Sequence, residues 1–308
     1  MSEKDIKRVY DEIRDLITES SDPRFSGIDR SDTTEILRII NAEDAKVADA
    51  VKGEIPHIAK AVDLIVANLK AGGRIFYFGA GTSGRLGILD AAECPPTFGT
   101  DPDMVQGIIA GGKETVFLSS EGAEDRVDEL PEIFSKHEIK PPDTVIGISA
   151  SYRTPYAKDA VEYARKRNCT TVYIACNPRK SIKIGADVLI CPVVGPEVVA
   201  GSTRMKSALA QKMVLTALST AVMIKLGKLY RNLMVDLLDR SDKLSARSIK
   251  IVMTILECDF ETAVSLLKDA KGWVKAALVM GKFSIELHEA KKMIDKYGGH
   301  LYKVFEEE

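Results

Sequence analysis

The sequence predicts an α/β fold in which a parallel sheet is wrapped by helices. Three observations predict it. Short apolar runs at 75–78, 105–109, 144–148, 171–175 and 187–191 alternate with helix-length stretches, the rhythm of βαβ units. The first run, Ile75-Phe76-Tyr77-Phe78, stops at Gly79-Ala80-Gly81-Thr82-Ser83-Gly84, and helix formers resume at Arg85. The run at 144–148 meets a serine-rich turn and then Pro155, a preferred first-turn helix residue.

Taken in order, residues 3–19 place Ile6, Val9, Tyr10, Ile13, Leu16 and Ile17 three and four apart, which predicts an amphipathic helix. The polar stretch 20–30 reads as a surface loop. Asp32 is placed to cap the next helix, with Glu35 at the capping-box position and Leu37, Ile39 and Ile40 as its apolar residues. A further helix over 55–69 ends at Gly72-Gly73. After the five strands, the stretch 203–226 is long and almost wholly apolar in its second half, which predicts a deeply buried helix. A charged segment at 238–250 closes the sheet domain, and patterns at 260–267, 273–280 and 284–294 predict a small three-helix unit. The expected organisation is an N-terminal helical segment over 1–72, the sheet domain over 73–238 and a helical unit over 239–308.

Composition narrows the function. The 308 residues carry 43 Lys plus Arg against 45 Asp plus Glu, and 45% are hydrophobic. Nothing in that balance points to nucleic acid or a membrane surface. The five cysteines are scattered with no C-x-x-C pair, and the four histidines are isolated, so neither a disulfide framework nor a metal site is expected. The start of the chain is charged from Glu3 on and no 18-residue apolar run occurs, which predicts a cytoplasmic protein.

The turn at 79–84 is a ready anion site. Glycines let the backbone approach a ligand, and the first helical N–H groups point at it with the positive end of the helix dipole. Thr82 and Ser83 add hydroxyl donors, so Gly81, Thr82, Ser83 and Gly84 are candidate phosphate ligands, for a phosphorylated sugar. Two other readings compete. G-x-G-x-x-G also fits a dinucleotide fold, but the second strand, 105–109, runs into Ala110-Gly111-Gly112 without the acid that fold needs. A Walker loop needs Lys-Ser/Thr where Arg85-Leu86 stand. A glycine turn that only packs helix on strand is the plain alternative. The stretch 144–154, TVIGISASYRT, repeats the plan, and Ser149, Ser151 and Thr154 supply hydroxyls at a second helix start. Serines capping their own helix would explain them equally. In an open α/β sheet the ligand crevice lies at the carboxyl ends of the strands, where both turns fall. Glu93 and Glu124 are candidate acid and base, since paired carboxylates near a sugar phosphate suit proton transfer. Against this, most of the 45 acidic residues must decorate solvated faces. Glu93 lies nine positions beyond Gly84, about 13 Å if all helical, and Cys94-Pro95-Pro96 is expected to end that helix.

At these residues the chain resembles the N-acetylmuramic acid 6-phosphate etherases. The matching strings are IDRSDTTEILRIINAED (28–44), GAGTSGRLGILDAAECPPTFG (79–99), EGAED (121–125), ISAS-RTPY around 148–156, CNP (176–178), VGPEVVAGSTRMK (194–206) and NLMVD (232–236). The similarity spans nearly the whole chain. It implies a three-layer α/β/α sugar isomerase (SIS) domain with a C-terminal unit like a ubiquitin-associated three-helix unit. It also implies loss of the lactyl ether at C3 of N-acetylmuramic acid 6-phosphate, giving N-acetylglucosamine 6-phosphate and D-lactate by elimination and water addition without a cofactor. Such a lyase of amino-sugar metabolism serves peptidoglycan recycling, as a homodimer with its pocket near the interface. Residue by residue, Glu93 matches the family's acid/base and Glu124 its second active-site glutamate. Phosphate binding carries over to Ser83, Ser149, Ser151 and Thr154, with Arg153 in the same string, and Glu197 is a third candidate lining the pocket. Where the family usually has Ser-Gly-Arg-Thr, this chain has Ser151-Tyr152-Arg153-Thr154, and Gly-Thr-Ala-Gln-Lys is likewise altered around 207–212. A non-catalytic sugar-phosphate sensor of the glucokinase regulatory protein type, or a phosphosugar isomerase, would share the fold.

Overall fold

The computed structural model describes residues 3–237 and 242–306. Helices α1 (Glu3–Ile13), α2 (Thr33–Asp44), α3 (Val47–Gly53) and α4 (Ile55–Lys70) precede strand β1 (Ile75–Gly79). Then follow α5 (Gly81–Phe98), β2 (Val105–Ile109), α6 (Glu114–Phe117), α7 (Leu130–Lys136), β3 (Thr144–Ile148), α8 (Pro155–Lys166), β4 (Thr170–Ile174), β5 (Val188–Ile190) and α9 (Lys206–Lys225). The chain closes with a two-stranded ribbon, β6 (Leu229–Tyr230) and β7 (Leu233–Met234), and helices α10 (Asp242–Leu256), α11 (Phe260–Asp269), α12 (Val274–Phe283), α13 (Leu287–Lys296) and α14 (Leu301–Phe305).

All five expected strands are present, paired in parallel in the order β2-β1-β3-β4-β5. Every residue of β1 and β3 is buried, as a strand covered on both faces must be. On one face Phe76 and Phe78 pack with Phe134 and Tyr156. On the other, Gly87 brings α5 so close that a Cβ there would lie 2.9 Å from the Cβ of Tyr77. The Tyr77 hydroxyl then donates to Asp90 at 2.9 Å. Asp32 caps α2 as expected, accepting from the Glu35 amide. α9 has the length and apolarity of a membrane span; its Ala210, Val214, Leu215, Leu218, Val222 and Met223 are buried within the protein.

Contacts divide the chain into two units. One comprises Met1–Asp90 and Val105–Leu218, so the N-terminal helices belong with the sheet; the other comprises Ala91–Met104 and Ser219–Glu308. The boundary expected between 238 and 239 lies outside the described residues. In the first unit the N-terminal segment is tied down by buried polar groups. Glu43 of α2 accepts from Lys206 Nζ at 2.7 Å, with both side chains nearly inaccessible, and also pairs with Lys46 and Arg24. Burial works to raise the Glu43 carboxyl, but its bonds to Lys206 and Lys46 outweigh that and hold it low. Breaking such a pair from one side typically costs about 3 kcal/mol. Asn177 accepts from the Ile17 amide at 2.9 Å and donates to the Thr18 hydroxyl at 3.0 Å.

The second unit has its own core around Val252, Leu278, Ala290 and Leu301. Among the described residues the three expected helical patterns fall on α11, α12 and α13, and α10 and α14 flank them as further helices of this unit. Residues 274–280 of α12 are all buried, including Lys275, whose ammonium donates to Asp236 at 2.6 Å and to the Gly227 carbonyl at 2.9 Å. Trp273 Nε1 donates to the other Asp236 oxygen at 2.8 Å.

Two expectations fail locally. The helix expected over 3–19 stops at Ile13, and 17–19 form a separate 3-10 turn at a point where Leu16 and Thr18 turn inward. Pro95-Pro96 does not end α5, which continues to Phe98. Each proline removes one backbone donor, yet Gly99 N still donates to the Pro95 carbonyl at 2.9 Å, so the ladder resumes beyond them.

Candidate functional site

The strand order turns at β1: the chain goes first to β2 on one side and then to β3 on the other. In open α/β sheets such a switch point opens a crevice at the carboxyl ends of the strands. Here it lies between β1 and β3, whose last residues, Gly79 and Ile148, are partners in register. The two turns expected to bind phosphate therefore leave the sheet side by side and at the same level.

The first turn is short. Gly81 opens α5 at φ +51°, a left-handed conformation that favours glycine, and a Cβ there would meet nothing within 4 Å. The first helical amides, at Gly81, Thr82 and Ser83, have no intrahelical acceptor. Ser83 is buried, and its hydroxyl donates to Gln211 Oε1 of α9 at 2.9 Å. Arg85, one turn on, donates to the carbonyls of Val116 at 2.7 Å and Thr115 at 2.6 Å. That clamp holds the segment leading to Glu124.

In the second turn Ser149 Oγ donates to Thr154 Oγ1 at 2.9 Å, which leaves the Thr154 proton to point elsewhere. Thr154 is the N-cap of α8 but makes no side-chain cap bond. Ser149 Oγ also accepts from the Thr154 amide at 3.4 Å, so its hydroxyl bonds within the turn and not to the amides inside α8. The Arg153 amide donates to Ser151 Oγ at 3.3 Å, and its guanidinium pairs with Glu12 of α1 at 3.1 Å. Tyr152 has φ +74°, where glycine is at ease and a tyrosine is strained. The strain is held by half-burial against the Phe78–Tyr156–Tyr173 core and by a 3.0 Å bond from the Tyr173 hydroxyl to the Tyr152 carbonyl.

Of the acidic candidates, Glu124 is exposed on a 3-10 turn anchored by buried Ala123. Glu93 is exposed on α5, beyond Asp90 and so within the second unit. Glu197 is buried, and its two oxygens accept from the Lys206 amide at 3.0 Å and from the Ser207 amide at 2.9 Å and hydroxyl at 2.8 Å. Its carboxylate is fully engaged on the start of α9, so it holds that helix in place.

Glu19 was not visible in the sequence. It falls at the end of the stretch 3–19 read as one amphipathic helix, outside its apolar pattern, and comes to this edge because Asn177, just past β4, grips the 17–18 backbone and side chain. Burial pushes its carboxyl up from the usual value of 4.5; Glu124 adds to the rise and Arg153 opposes it. Burial lifts the thiols of Cys169 and Cys191 to about 11 and that of Cys176 to about 12, so these three stay protonated near neutrality. Among the described residues no group of three or more His, Cys, Asp or Glu could hold a metal ion.

The paired turns and the five parallel strands define a SIS domain. The SIS domain model matches residues 128–221, and the model of the glucokinase regulatory protein N-terminal SIS domain matches 57–165. The N-acetylmuramic acid 6-phosphate etherase of Salinibacter ruber is 49% identical over 303 residues, covering 98% of this chain and 97% of that one. The protein of the same name from Symbiobacterium thermophilum is 52% identical over 269 residues, covering 87% and 89%. That of Escherichia coli O81 is 46% identical over 297 residues, covering 96% and 100%. The chain belongs to the N-acetylmuramic acid 6-phosphate etherase family.

Two outcomes follow from this geometry. Because folded Glu19 keeps its proton to higher pH than the unfolded chain does, ionising it costs stability above its raised pKa and costs nothing below 4.5. Glu19→Gln is therefore expected to raise the Tm at about pH 7.5, with the gain fading as pH falls through about 4.5; a gain that does not depend on pH contradicts this. Tyr152→Gly relieves roughly 1–2 kcal/mol of backbone strain and loses about as much half-buried ring surface. Urea unfolding should show a net change within about 1 kcal/mol, with turnover kept or raised. A collapse of activity would mean that the ring is used.

Proposed function

We propose that this chain cleaves the D-lactyl ether of N-acetylmuramic acid 6-phosphate, yielding N-acetylglucosamine 6-phosphate and D-lactate. The observation that carries this reading is the near end-to-end match to proteins named for that activity. The phosphoryl group sits between the turns after β1 and β3, against the amides of Gly81, Thr82 and Ser83 and the hydroxyls of Ser83, Ser149, Ser151 and Thr154. Gly84, where a Cβ would lie 2.6 Å from the Ile109 side chain and 2.7 Å from the Gly79 carbonyl oxygen, serves by letting α5 pack on the strands and not as a ligand contact, and Arg153 adds charge once it releases Glu12.

The chemistry needs only proton transfers. In the ring-opened sugar the C2 proton is α to the C1 aldehyde and the ether oxygen on C3 is β to it. Glu124 removes the C2 proton, and the electron pair forms the C2=C3 bond as the C3–O bond breaks. Glu93 donates its proton to the departing oxygen, releasing D-lactate. Glu93, now a carboxylate, takes a proton from water as its oxygen adds to C3, and C2 regains a proton from Glu124. The sum is ether plus water giving alcohol plus lactate, a lyase route that calls on no cofactor. In this reading Glu197 serves the pocket by fixing α9. The protein works as a homodimer with the pocket near the interface, which suits the exposure of Glu93 and Glu124 in one chain. The scattered cysteines, with no C-x-x-C pair among them, suit a cytoplasmic setting.

Incubation with N-acetylmuramic acid 6-phosphate should release D-lactate. Tight sugar-phosphate binding without lactate would instead favour a non-catalytic sensor; the model of the glucokinase regulatory protein N-terminal SIS domain matches 57–165. Glu93→Ala should lower turnover by about 10²–10⁴-fold while binding survives; turnover near the wild-type rate would remove Glu93 from the chemistry.

A further inference from the structure

Gln211 stands directly behind the first phosphate turn, and half of its amide is unused. It is 1% exposed on α9, its Oε1 accepts from the Ser83 hydroxyl at 2.9 Å, and its Nε2 has no partner. A buried amide with its donors idle is costly, and such groups in native proteins call for a reason. The reason is in the hydroxyl it holds. A serine hydroxyl has one proton to give. While that proton is committed to Oε1, Ser83 can only accept, and a phosphoryl oxygen also accepts.

Turning the amide end for end reverses this. The two ends of the group are nearly equal in size, so the same cavity holds either orientation. With Nε2 facing Ser83, the amide donates to the serine lone pair and the hydroxyl proton is released to point into the crevice. The carbonyl end then takes the unpaired place, and an under-satisfied carbonyl is better tolerated than an orphan N–H. A phosphoryl group at the turn would favour that state through a charge-assisted bond from Ser83. Gly81, with open space where a side chain would start, leaves room for it.

We propose that Gln211 is a positioning residue that, by reversing its side-chain amide, turns Ser83 from a hydroxyl bonded inward into a donor to the substrate phosphoryl group. This rests on the phosphosugar reading above and adds to it a residue that touches no ligand. It accounts for a polar side chain placed inside a long apolar helix, where leucine would otherwise pack better.

Calorimetric binding of N-acetylglucosamine 6-phosphate and of N-acetylglucosamine to the full chain tests it, the ratio of the two dissociation constants being the phosphate preference. Gln211→Glu presents only acceptors at neutral pH and keeps the Ser83 proton inward, so the preference should fall about tenfold or more. It should recover, relative to wild type at the same pH, as the introduced carboxyl protonates and regains a donor. Gln211→Met, which neither donates nor accepts and is closer to a neutral packing change, should lower the preference about threefold. Both losses should vanish when Ser83→Ala is already present, because Gln211 acts through that hydroxyl. A loss of equal size with and without Ser83, or a wild-type preference retained in both Gln211 variants, overturns the inference alone. A wild-type chain that binds the two sugars equally overturns the phosphosugar reading and this inference with it.

Discussion

The hydrogen-bonded pairing of β1 with β3 is what the site depends on. Parallel partners in register from Ile75–Thr144 to Gly79–Ile148 end together, so the chain must turn twice at one place. Both turns lead into helix starts, which aim unpaired amides at the same volume. A one-residue slip in this register would move one turn along the strand axis by about 3.3 Å and set the two at different levels. Full burial of both strands opposes such a slip, since it would turn the packed side chains to the wrong face.

Several strings by which the chain resembles its family hold the scaffold together. Glu43 near the end of one string meets Lys206 at the end of another, an internal ion pair spanning most of the first unit's sequence. Asn177 fastens the 17–19 turn and so delivers Glu19 to the carboxyl edge of the sheet. Glu197 anchors the α9 start, and α9 in turn carries Gln211 to Ser83. Long-range polar bonds of this kind, most of them buried, tie the elements around the two turns together.

The strands and both turns were legible because their signals are local: contiguous β-branched and aromatic runs, glycines at a sharp bend, a proline at a helix start. The Asp32 cap was legible for the same reason. The course of α5 through Pro95-Pro96 was not, because a proline's cost can be absorbed when the bonds beyond it survive. Nor were Glu19 or the Gln211–Ser83 bond, whose partners lie more than a hundred residues away and leave no periodic trace. Tyr152 lies between these cases. Its departure from glycine was plain in the sequence, but only the backbone conformation shows why a glycine suits that place.

The most direct test is a crystal structure of the chain with N-acetylglucosamine 6-phosphate bound. The account predicts one phosphoryl group with oxygens within hydrogen-bond distance, about 2.7–3.0 Å, of the Ser83 hydroxyl and of at least one hydroxyl among Ser149, Ser151 and Thr154. A phosphoryl group held by one turn only, or seated away from the carboxyl ends of β1 and β3, would contradict it.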